Sequence, residues 1–273
     1  MRAAAGRWQE VAPAKLNLAL HVRGKLPDGR HALETLFAFC TDGDRLTGER
    51  TDTLSLTCSG PFANVLGSET DNLVIRAARA LQEKAGVRDG AALHLDKRLP
   101  VASGIGGGSA DAAAALRLLT AMWSIDPSHA AAVAPTIGAD VPACLLSMTC
   151  RGEGVGDRLE LVDAGIAGTP VMLVNPLVPL STRDVFSRWD GVDGGPLSSD
   201  WRVGRNDLEG PARQLVPEIG SVLDWLARQP GFSLARMSGS GATCFALFGS
   251  EEERDAAAEA CPPRWWHLAT TLR

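Results

Sequence analysis

The sequence predicts an α+β chain of two domains, and three observations predict it. The N-terminal part is rich in short stretches that alternate apolar and polar residues, the period of a half-buried strand. A glycine-dense loop, Gly104 to Ser109, opens directly into a long alanine-rich helix pattern. Strands and helices then follow one another to the C-terminus without internal repeats. The division falls near residue 160, giving domains 1–160 and 161–273.

Glu10 to Val22 alternates from Leu16 to Leu20 and reads as the first strand. Pro27-Asp28-Gly29 is a turn. Leu33 to Ala38, Asp44 to Glu49 and Thr53 to Cys58 follow as strands. Asn72 to Ala85 has apolar residues at helical spacing, and Gly86 ends it. Ala92 to Leu95 is a short strand. The helix pattern from Ser109 to Trp123 holds only two charged residues, Asp111 and Arg117, so that helix is expected to be buried nearly all round. Asp126-Pro127 opens another helix to about Val133, and Gly138 to Leu146 is a turn leading into an apolar helix or strand. Val171 to Val174 is a strand, Gly191 to Ser199 a loop, and Pro217 to Arg228 a helix. Leu234 to Met237 and Thr243 to Phe248 are strands around a second glycine turn, Ser238-Gly239-Ser240-Gly241. Glu251 to Ala260 is the last helix and Trp266 to Thr270 the last strand.

Composition excludes several classes. Apolar residues make up 45% and charged residues 22%, ordinary for a folded soluble protein. The net charge is −5 and no stretch concentrates Lys and Arg, which argues against nucleic acid as a partner. Met1 to Trp8 lacks the apolar core of a secretory leader. No run of about 18 apolar residues exists, so no membrane span is expected and the expected location is the cytoplasm. The six cysteines form no CxxC and the five histidines no HxxxH, so zinc and dithiol readings fail. Reduced, mostly buried thiols and no protein-held metal are expected.

The segment with the most chemistry is Pro100-Val101-Ala102-Ser103-Gly104-Ile105-Gly106-Gly107-Gly108-Ser109-Ala110. Four glycines within five positions permit positive φ and let a ligand approach the backbone closely. A helix follows at once, with Ser109 as its expected N-cap, so free N–H groups and the helix dipole face the loop. That is an anion site. No Lys follows the glycines, which excludes the P-loop, and Ser109 stands where the dinucleotide fingerprint needs glycine. A protein-kinase loop joins two strands, whereas this loop precedes a helix.

Three segments in this order resemble the GHMP kinase superfamily: Pro13-Ala14-Lys15-Leu16-Asn17, the glycine loop with its helix, and Met237 to Ala242. Within it the likeness is closest to the branch that phosphorylates 4-diphosphocytidyl-2-C-methyl-D-erythritol (CDP-methylerythritol). Asp28-Gly29-Arg30-His31 with Glu34-Thr35, Gly138-Ala139-Asp140-Val141-Pro142, and Asn206-Asp207-Leu208-Glu209 carry that likeness, which runs from about Ala12 to Phe248. The resemblance implies a two-domain GHMP kinase fold. Its N-terminal domain is of the type seen in the second domain of ribosomal protein S5, its C-terminal domain is ferredoxin-like, and the substrates meet between them. It also implies ATP with Mg²⁺, a small-molecule substrate, a cytoplasmic enzyme of non-mevalonate isoprenoid synthesis, and a monomer or weak homodimer.

The resemblance also implies roles. Asp140 is the catalytic carboxylate, with helix capping as its alternative, and Lys15 lies beside it, with a strand Lys lying along an apolar surface as the alternative. Phosphoryl transfer is loose, so positioning and charge stabilisation dominate, and Asp140 should orient the hydroxyl and take its proton late. The loop residues Pro100 to Ala110 hold phosphates, and Asn72 and Lys97 lie on the adenine side. Asn17, His31 and Thr182 read the cytidine end with Phe186 stacked on cytosine, and Ser240 lies close to the substrate or serves the architecture alone. Members carry Tyr, stacked on the base, where Arg30 stands; this chain has no Tyr. A guanidinium also stacks on a π face. Ala143 stands where Phe is usual, and Cys150 to Asp157 departs from the usual wording. Two other readings remain at this stage, a homoserine or mevalonate type GHMP kinase and a non-catalytic nucleotide-binding member. The DGRH and GADVP segments oppose the first, and Lys15, Asp140 and the intact loop oppose the second.

Overall fold

The computed structural model describes residues 6–66 and 72–273, so residues 1–5 of the N-terminal stretch discussed above lie outside the described residues. The chain forms two units, each assembled from separated segments: Met1–Ala14, Asp42–Val101 and Gly106–Ser147 make the first, and Lys15–Thr41, Ala102–Ile105 and Met148–Arg273 the second. Strands β1 (Trp8–Lys25) and β2 (His31–Thr51) contribute residues to both. β1 is buried without a break from Ala12 to Val22, because both its faces are covered, and so Lys15 and Asn17 sit inside the protein.

In the first unit β4 (Gly90–Asp96) pairs antiparallel with β2, from Arg45 opposite Asp96 to Thr51 opposite Gly90. It pairs parallel with β3 (Leu54–Ser59), from Leu54 opposite Ala91 to Ser59 opposite Asp96. Helix α1 (Leu73–Ala85) starts where the Asn72 side chain accepts from Val74 N–H and stops at Gly86 in the left-handed region. It buries Val74, Ile75, Ala77, Ala78 and Leu81, one stripe of the helix. Helix α2 (Gly107–Trp123) packs against α1, α3 (Pro127–Ile137) and α4 (Val141–Leu146). Ala112 to Ala115 are fully buried, and their small side chains let the neighbouring helices come close.

In the second unit β5 (Cys150–Gly154) pairs antiparallel with the start of β2, from Leu33 opposite Gly154 to Phe37 opposite Cys150, and with β6 (Arg158–Leu161). The rest of the unit contains β7 (Pro170–Asn175), α5 (Thr182–Ser187), α6 (Glu209–Leu215), α7 (Glu218–Leu226), β8 (Phe232–Met237), β9 (Cys244–Phe248), α8 (Glu251–Glu259) and β10 (Trp266–Thr271). The sheet order is β10-β7-β9-β8 with every pair antiparallel, and α7 and α8 lie against it. Strand, helix, strand, strand, helix, strand with the first strand beside the last is the ferredoxin-like arrangement that was expected. Its core joins Met172 and Val174 of β7 to Ile219, Val222 and Leu226 of α7.

The structure corrects the sequence reading at several places. The separate strands expected at Leu33 to Ala38 and Asp44 to Glu49 are one continuous β2, because exposed Thr41 and Asp42 keep an extended backbone. Helix α2 begins at Gly107 with Gly106 as its N-cap, and Ser109 lies inside the first turn. Gly106 reaches a φ of 65° that a serine adopts only with strain, so the glycine takes the cap. α3 runs on to Ile137, α4 resolves the helix-or-strand alternative as helix, and β5, β6, α5 and α6 are additions.

Gly43 of β2 has no room for a side chain. A Cβ there would fall inside the carbonyl oxygen of Ala12, with Pro13 Cα at 2.8 Å, so the two backbones touch. We expect Gly43→Ala to cost about 3 kcal/mol or to prevent folding. Gly86→Ala meets open space but keeps a left-handed φ, so it should cost about 1–2 kcal/mol. Denaturant midpoints measure both, and equal penalties would contradict the backbone contact at Gly43.

Candidate functional site

The glycine loop has the backbone its composition predicts. Ala102, Gly104 and Gly106 have φ values of 52°, 79° and 65°, so left-handed residues occupy alternate positions. Such alternation turns successive N–H groups toward one concave side. Gly106 caps α2 and has no side chain to accept from the first-turn N–H groups of Gly107, Gly108 and Ser109. Gly108 is exposed and Gly107 and Ser109 partly so, while Ala110 is buried and its N–H bonds Gly106 C=O at 2.8 Å. Pro100 and exposed Val101 lead into this segment. The dipole of a 17-residue helix adds to these donors, and the result is an anion cradle made of backbone.

Within the second unit the middle of the loop is tied down. Lys15 N–H donates to Ile105 C=O at 3.0 Å, and Thr243 N–H to Ser103 C=O at 3.1 Å. Ser238 Oγ donates to Gly104 C=O at 3.0 Å and accepts from Asn17 N–H at 3.1 Å. Gly104 is required here, since a Cβ would lie 2.5 Å from Ser238 O and 2.7 Å from Gly241 O. Asn206, whose motif was noted without a role, donates through Nδ2 to Met237 C=O and Gly239 C=O, each at 2.8 Å, and so holds the second glycine turn. Its neighbour Asp207 accepts from Val22 N–H of β1 at 2.8 Å.

Lys15 and Asn17 come together. Lys15 Nζ donates to Asn17 Oδ1 at 2.9 Å and lies 5.1 Å from the centre of the Phe37 ring. Asn17 Nδ2 donates to Thr35 Oγ1 at 2.8 Å, and Thr35 Oγ1 donates onward to Ala19 C=O at 2.7 Å. Because the hydroxyl proton is committed to Ala19, Thr35 can only accept from Asn17, so the amide oxygen must face Lys15. Thr35 is thus a member of the site that the sequence reading named only as part of a motif.

In the first unit Lys97 is almost fully buried, with Nζ 2.5 Å from Asp44 Oδ2 and 2.6 Å from Asp111 Oδ2. Asp44 Oδ1 accepts from Arg98 N–H at 2.5 Å and Leu99 N–H at 2.8 Å, just before Pro100. The ammonium expected on the adenine side is therefore occupied by two aspartates. Burial works against its charge, but Asp111 and Asp44 outweigh that and raise its pKa. Asp111 is pushed up to about 8, first by burial and then by the charge of Asp44, against the pull of Lys97. Among the described residues its Oδ1 has no partner. Asn72, the other residue expected there, uses its side-chain oxygen to cap α1.

Asp140 occupies the N-cap position of α4, half-buried and without a side-chain capping bond, so the capping alternative loses its support. The other end of this six-residue helix is held by Arg117, which donates to Cys144 C=O at 2.8 Å and to Val11 C=O at 3.0 Å and pairs with Glu10 at 3.2 Å. A lone Arg in an alanine helix was the signal for this clamp.

The residues expected at the cytidine end lie in the second unit. The rings of His31 and Phe186 stack with centroids 4.8 Å apart, and Trp189, which the sequence reading missed, meets His31 edge-on at 5.6 Å. Burial and then Lys25 lower the pKa of His31, which favours the neutral ring. Thr182 Oγ1 and Ser240 Oγ are hydrogen-bonded at 2.8 Å. Arg30 stands apart from this group: its guanidinium pairs with Asp28 at 2.7 Å across the turn. Among the described residues no three His, Cys, Asp or Glu side chains converge as a metal site, and no helix is long and apolar enough to cross a membrane. All six cysteines lie among the described residues, and no disulfide joins them.

Comparison with known proteins agrees across the chain. Residues 72–148 match the family model described as GHMP kinases N terminal domain, and residues 197–267 the one described as GHMP kinases C terminal. The 4-diphosphocytidyl-2-C-methyl-D-erythritol kinase of Rhizorhabdus wittichii is 54% identical over 97% of this chain and 94% of its own. The protein of the same name from Novosphingobium aromaticivorans is 50% identical over 97% of this chain and 93% of its own. A crystal structure of 4-(cytidine 5'-diphospho)-2C-methyl-D-erythritol kinase, 35% identical, superposes with a TM-score of 0.84 over 97% of this chain and 98% of that one. Homoserine kinase from Cytophaga hutchinsonii, 17% identical, shares the fold with a TM-score of 0.75 over 100% of this chain and 96% of its own.

The buried acid makes a stability prediction. Between the ordinary carboxyl pKa of 3.8 and the raised value of about 8, the unfolded chain has lost the Asp111 proton while the folded chain keeps it. Stability therefore falls as pH rises through that window, by at most about 1.4 kcal/mol per unit, and levels off above it. Asp111→Asn removes this dependence, so its stability relative to the parent should climb from pH 4 to pH 8. Chemical denaturation across that range checks it, and a pH-independent difference would contradict the protonated acid.

Proposed function

This chain belongs to the 4-diphosphocytidyl-2-C-methyl-D-erythritol kinases of the GHMP kinase superfamily, and on that premise we propose how its residues divide the work. The enzyme transfers the γ-phosphate of ATP to the 2-hydroxyl of 4-diphosphocytidyl-2-C-methyl-D-erythritol, a step of non-mevalonate isoprenoid synthesis. The observation that carries this reading is the 54% identity over nearly the whole chain. We place the reaction in the cytoplasm, where ATP and a soluble CDP ester meet. Residues 1–160 would supply most of the nucleotide side and residues 161–273 the rest, and the two family matches fall on either side of that line.

The loop from Pro100 to Ala110 receives the ATP phosphates on backbone N–H groups and the α2 dipole. Asn72 and the backbone around Lys97 border the adenine. Magnesium bound to the nucleotide would offset phosphate charge; Asp44 and Asp111, both held by Lys97, would not be open to it. The substrate oxygen forms its bond to the γ-phosphorus as the bridge to the β-phosphate breaks and ADP leaves. The proton of that hydroxyl passes to Asp140, late in a loose transition state. Lys15 supplies a fixed positive charge, aimed by Asn17 and Thr35. At the other end His31, Phe186, Thr182 and Ser240 hold the cytidine diphosphate. The neutral His31 ring offers one donor and one acceptor to the polar edge of a base.

Coupled ADP release with CDP-methylerythritol tests the substrate, and we expect turnover with it and none with homoserine or mevalonate. Asp140→Asn should lower kcat about 10²–10⁴-fold while leaving both KM values within a few-fold. Near-normal kcat in that variant would remove Asp140 from the role of base.

A further inference from the structure

Asp44 and Asp111 are two buried acids that share one ammonium, Lys97, directly under the start of α2. Lys97 follows β4, Asp44 stands on β2, and Asp111 stands in the second turn of α2, only 3% exposed. A side-chain carbon on Gly107, the first residue of that helix, would lie 3.1 Å from Lys97 Nζ and 3.9 Å from Asp44 Oδ2. The charges of the cluster therefore act on the first turn of α2 at close range and from the interior, where salt screens them little.

One ammonium cannot neutralise two ionised acids. With both ionised the cluster carries one excess negative charge, and with one protonated it carries none. The partners decide which acid holds the proton. Asp44 accepts from Lys97 and from the backbone N–H groups of Arg98 and Leu99, donors that suit a carboxylate. Asp111 accepts from Lys97, and among the described residues its Oδ1 has no partner. Its pKa is pushed up to about 8, chiefly by burial, against the pull of Lys97. Burial opposes the charge of Lys97, but Asp111 and Asp44 outweigh it and raise its pKa, so the ammonium stays charged while Asp111 titrates.

The elements packed on α2 bring few other charges toward Asp111. α1 buries only apolar residues and keeps Arg76, Arg79, Glu83 and Lys84 exposed. α3 carries His129 as its one ionisable residue, and α4 carries the Cys144 thiol and begins at Asp140. On α2 itself Arg117 pairs with Glu10. In the sheet Arg45 of β2 is exposed, while His94 of β4 bonds Thr57 and Ser59 and Asp96 pairs with Arg98.

We propose that Asp111 is a positioning residue that, through Lys97 and the backbone of Gly107, sets the charge beneath the phosphate cradle. Protonated, it lets the first turn of α2 hold the phosphates of ATP; ionised, it weakens that hold. The inference rests on the reading of the loop and first turn as the site of those phosphates. Phosphate and an ionised Asp111 are like charges, so each disfavours the other. By reciprocity, nucleotide binding near pH 8 must draw a proton onto Asp111, and affinity for ATP must fall as pH rises through that value. A phosphate monoester loses its last proton at about pH 6, so the nucleotide itself does not titrate in this window.

Steady-state kinetics from pH 7 to pH 9 and titration calorimetry with ADP at pH 8 test it. We expect KM for ATP to rise about ten-fold over that range in the parent and to stay within about two-fold in Asp111→Asn. KM for CDP-methylerythritol should stay within about two-fold in both, which separates a charge under the cradle from a general loosening of the fold. ADP binding to the parent should take up part of a proton, read from heats in buffers of different ionisation enthalpy, and Asp111→Asn should take up none. The calorimetry on the parent keeps its force if the variant fails to fold. A KM for ATP that is flat in the parent, an equal rise in both proteins, or binding of ADP to the parent without proton uptake would each overturn the proposal. A parent that neither uses ATP nor binds ADP at any pH would overturn the reading of the cradle, and this inference with it.

Discussion

The hydroxyl of Ser238 accepts a hydrogen bond from the backbone N–H of Asn17 and donates one to the carbonyl of Gly104. One oxygen so joins the first strand, the phosphate loop and the second glycine turn. Each partner is itself fixed: Asn17 by Lys15 and Thr35, the turn by the Asn206 amide, the loop by Ile105 and Ser103. A bond of this kind adds only about 1 kcal/mol net, but an orphaned buried carbonyl costs about 1–3 kcal/mol. The value of the arrangement is geometric. It holds a backbone segment, Gly104 to Gly108, in which four of five residues carry no side chain. Glycine leaves the backbone of the loop open but gives it few side chains to pack, and neighbours supply the anchoring.

Asp140 faces a related difficulty with a different answer. It sits at the start of a helix of six residues, too short to be stable alone. Arg117 reaches across from α2 to the carbonyl at the other end of that helix and to the backbone of Val11. The short helix that begins at the carboxylate we propose as the base is thereby held at its far end. The guanidinium suits this task because its several N–H groups can hold separated carbonyls at once.

How much of this the sequence disclosed depended on whether the signal was local. The loop, its helix and the α1 caps were readable because glycine and asparagine act on their own backbone neighbours. The cap of α2 was misread because serine is the better side-chain cap, while the observed φ at Gly106 favours a residue without a side chain. β2 was cut in two because exposed Thr41 and Asp42 interrupt its hydrophobic pattern without ending the strand. Asp44, Lys97 and Asp111 meet only through the fold, so no spacing could have joined them. Lys15, Asn17 and the His31–Phe186 pair were named through likeness to a family, and Trp189 stands outside every motif. The edge contact of its ring is a fact of tertiary packing.

The buried trio of Lys97, Asp44 and Asp111 has a consequence for descent. Exchanging Lys97 alone for an apolar residue strands two acids in the interior, and exchanging Asp44 alone frees the backbone N–H groups of Arg98 and Leu99 together with half of the ammonium's company. Either step leaves an unpaired buried group, which costs about 3–5 kcal/mol, a large share of a typical domain's stability. Only at Asp111 does a neutral amide of the same shape offer a passable route. Lineages should therefore vary at Asp111 by itself and inherit Lys97 and Asp44 as a block, a pattern of substitution that follows from electrostatics and owes nothing to contact with either substrate.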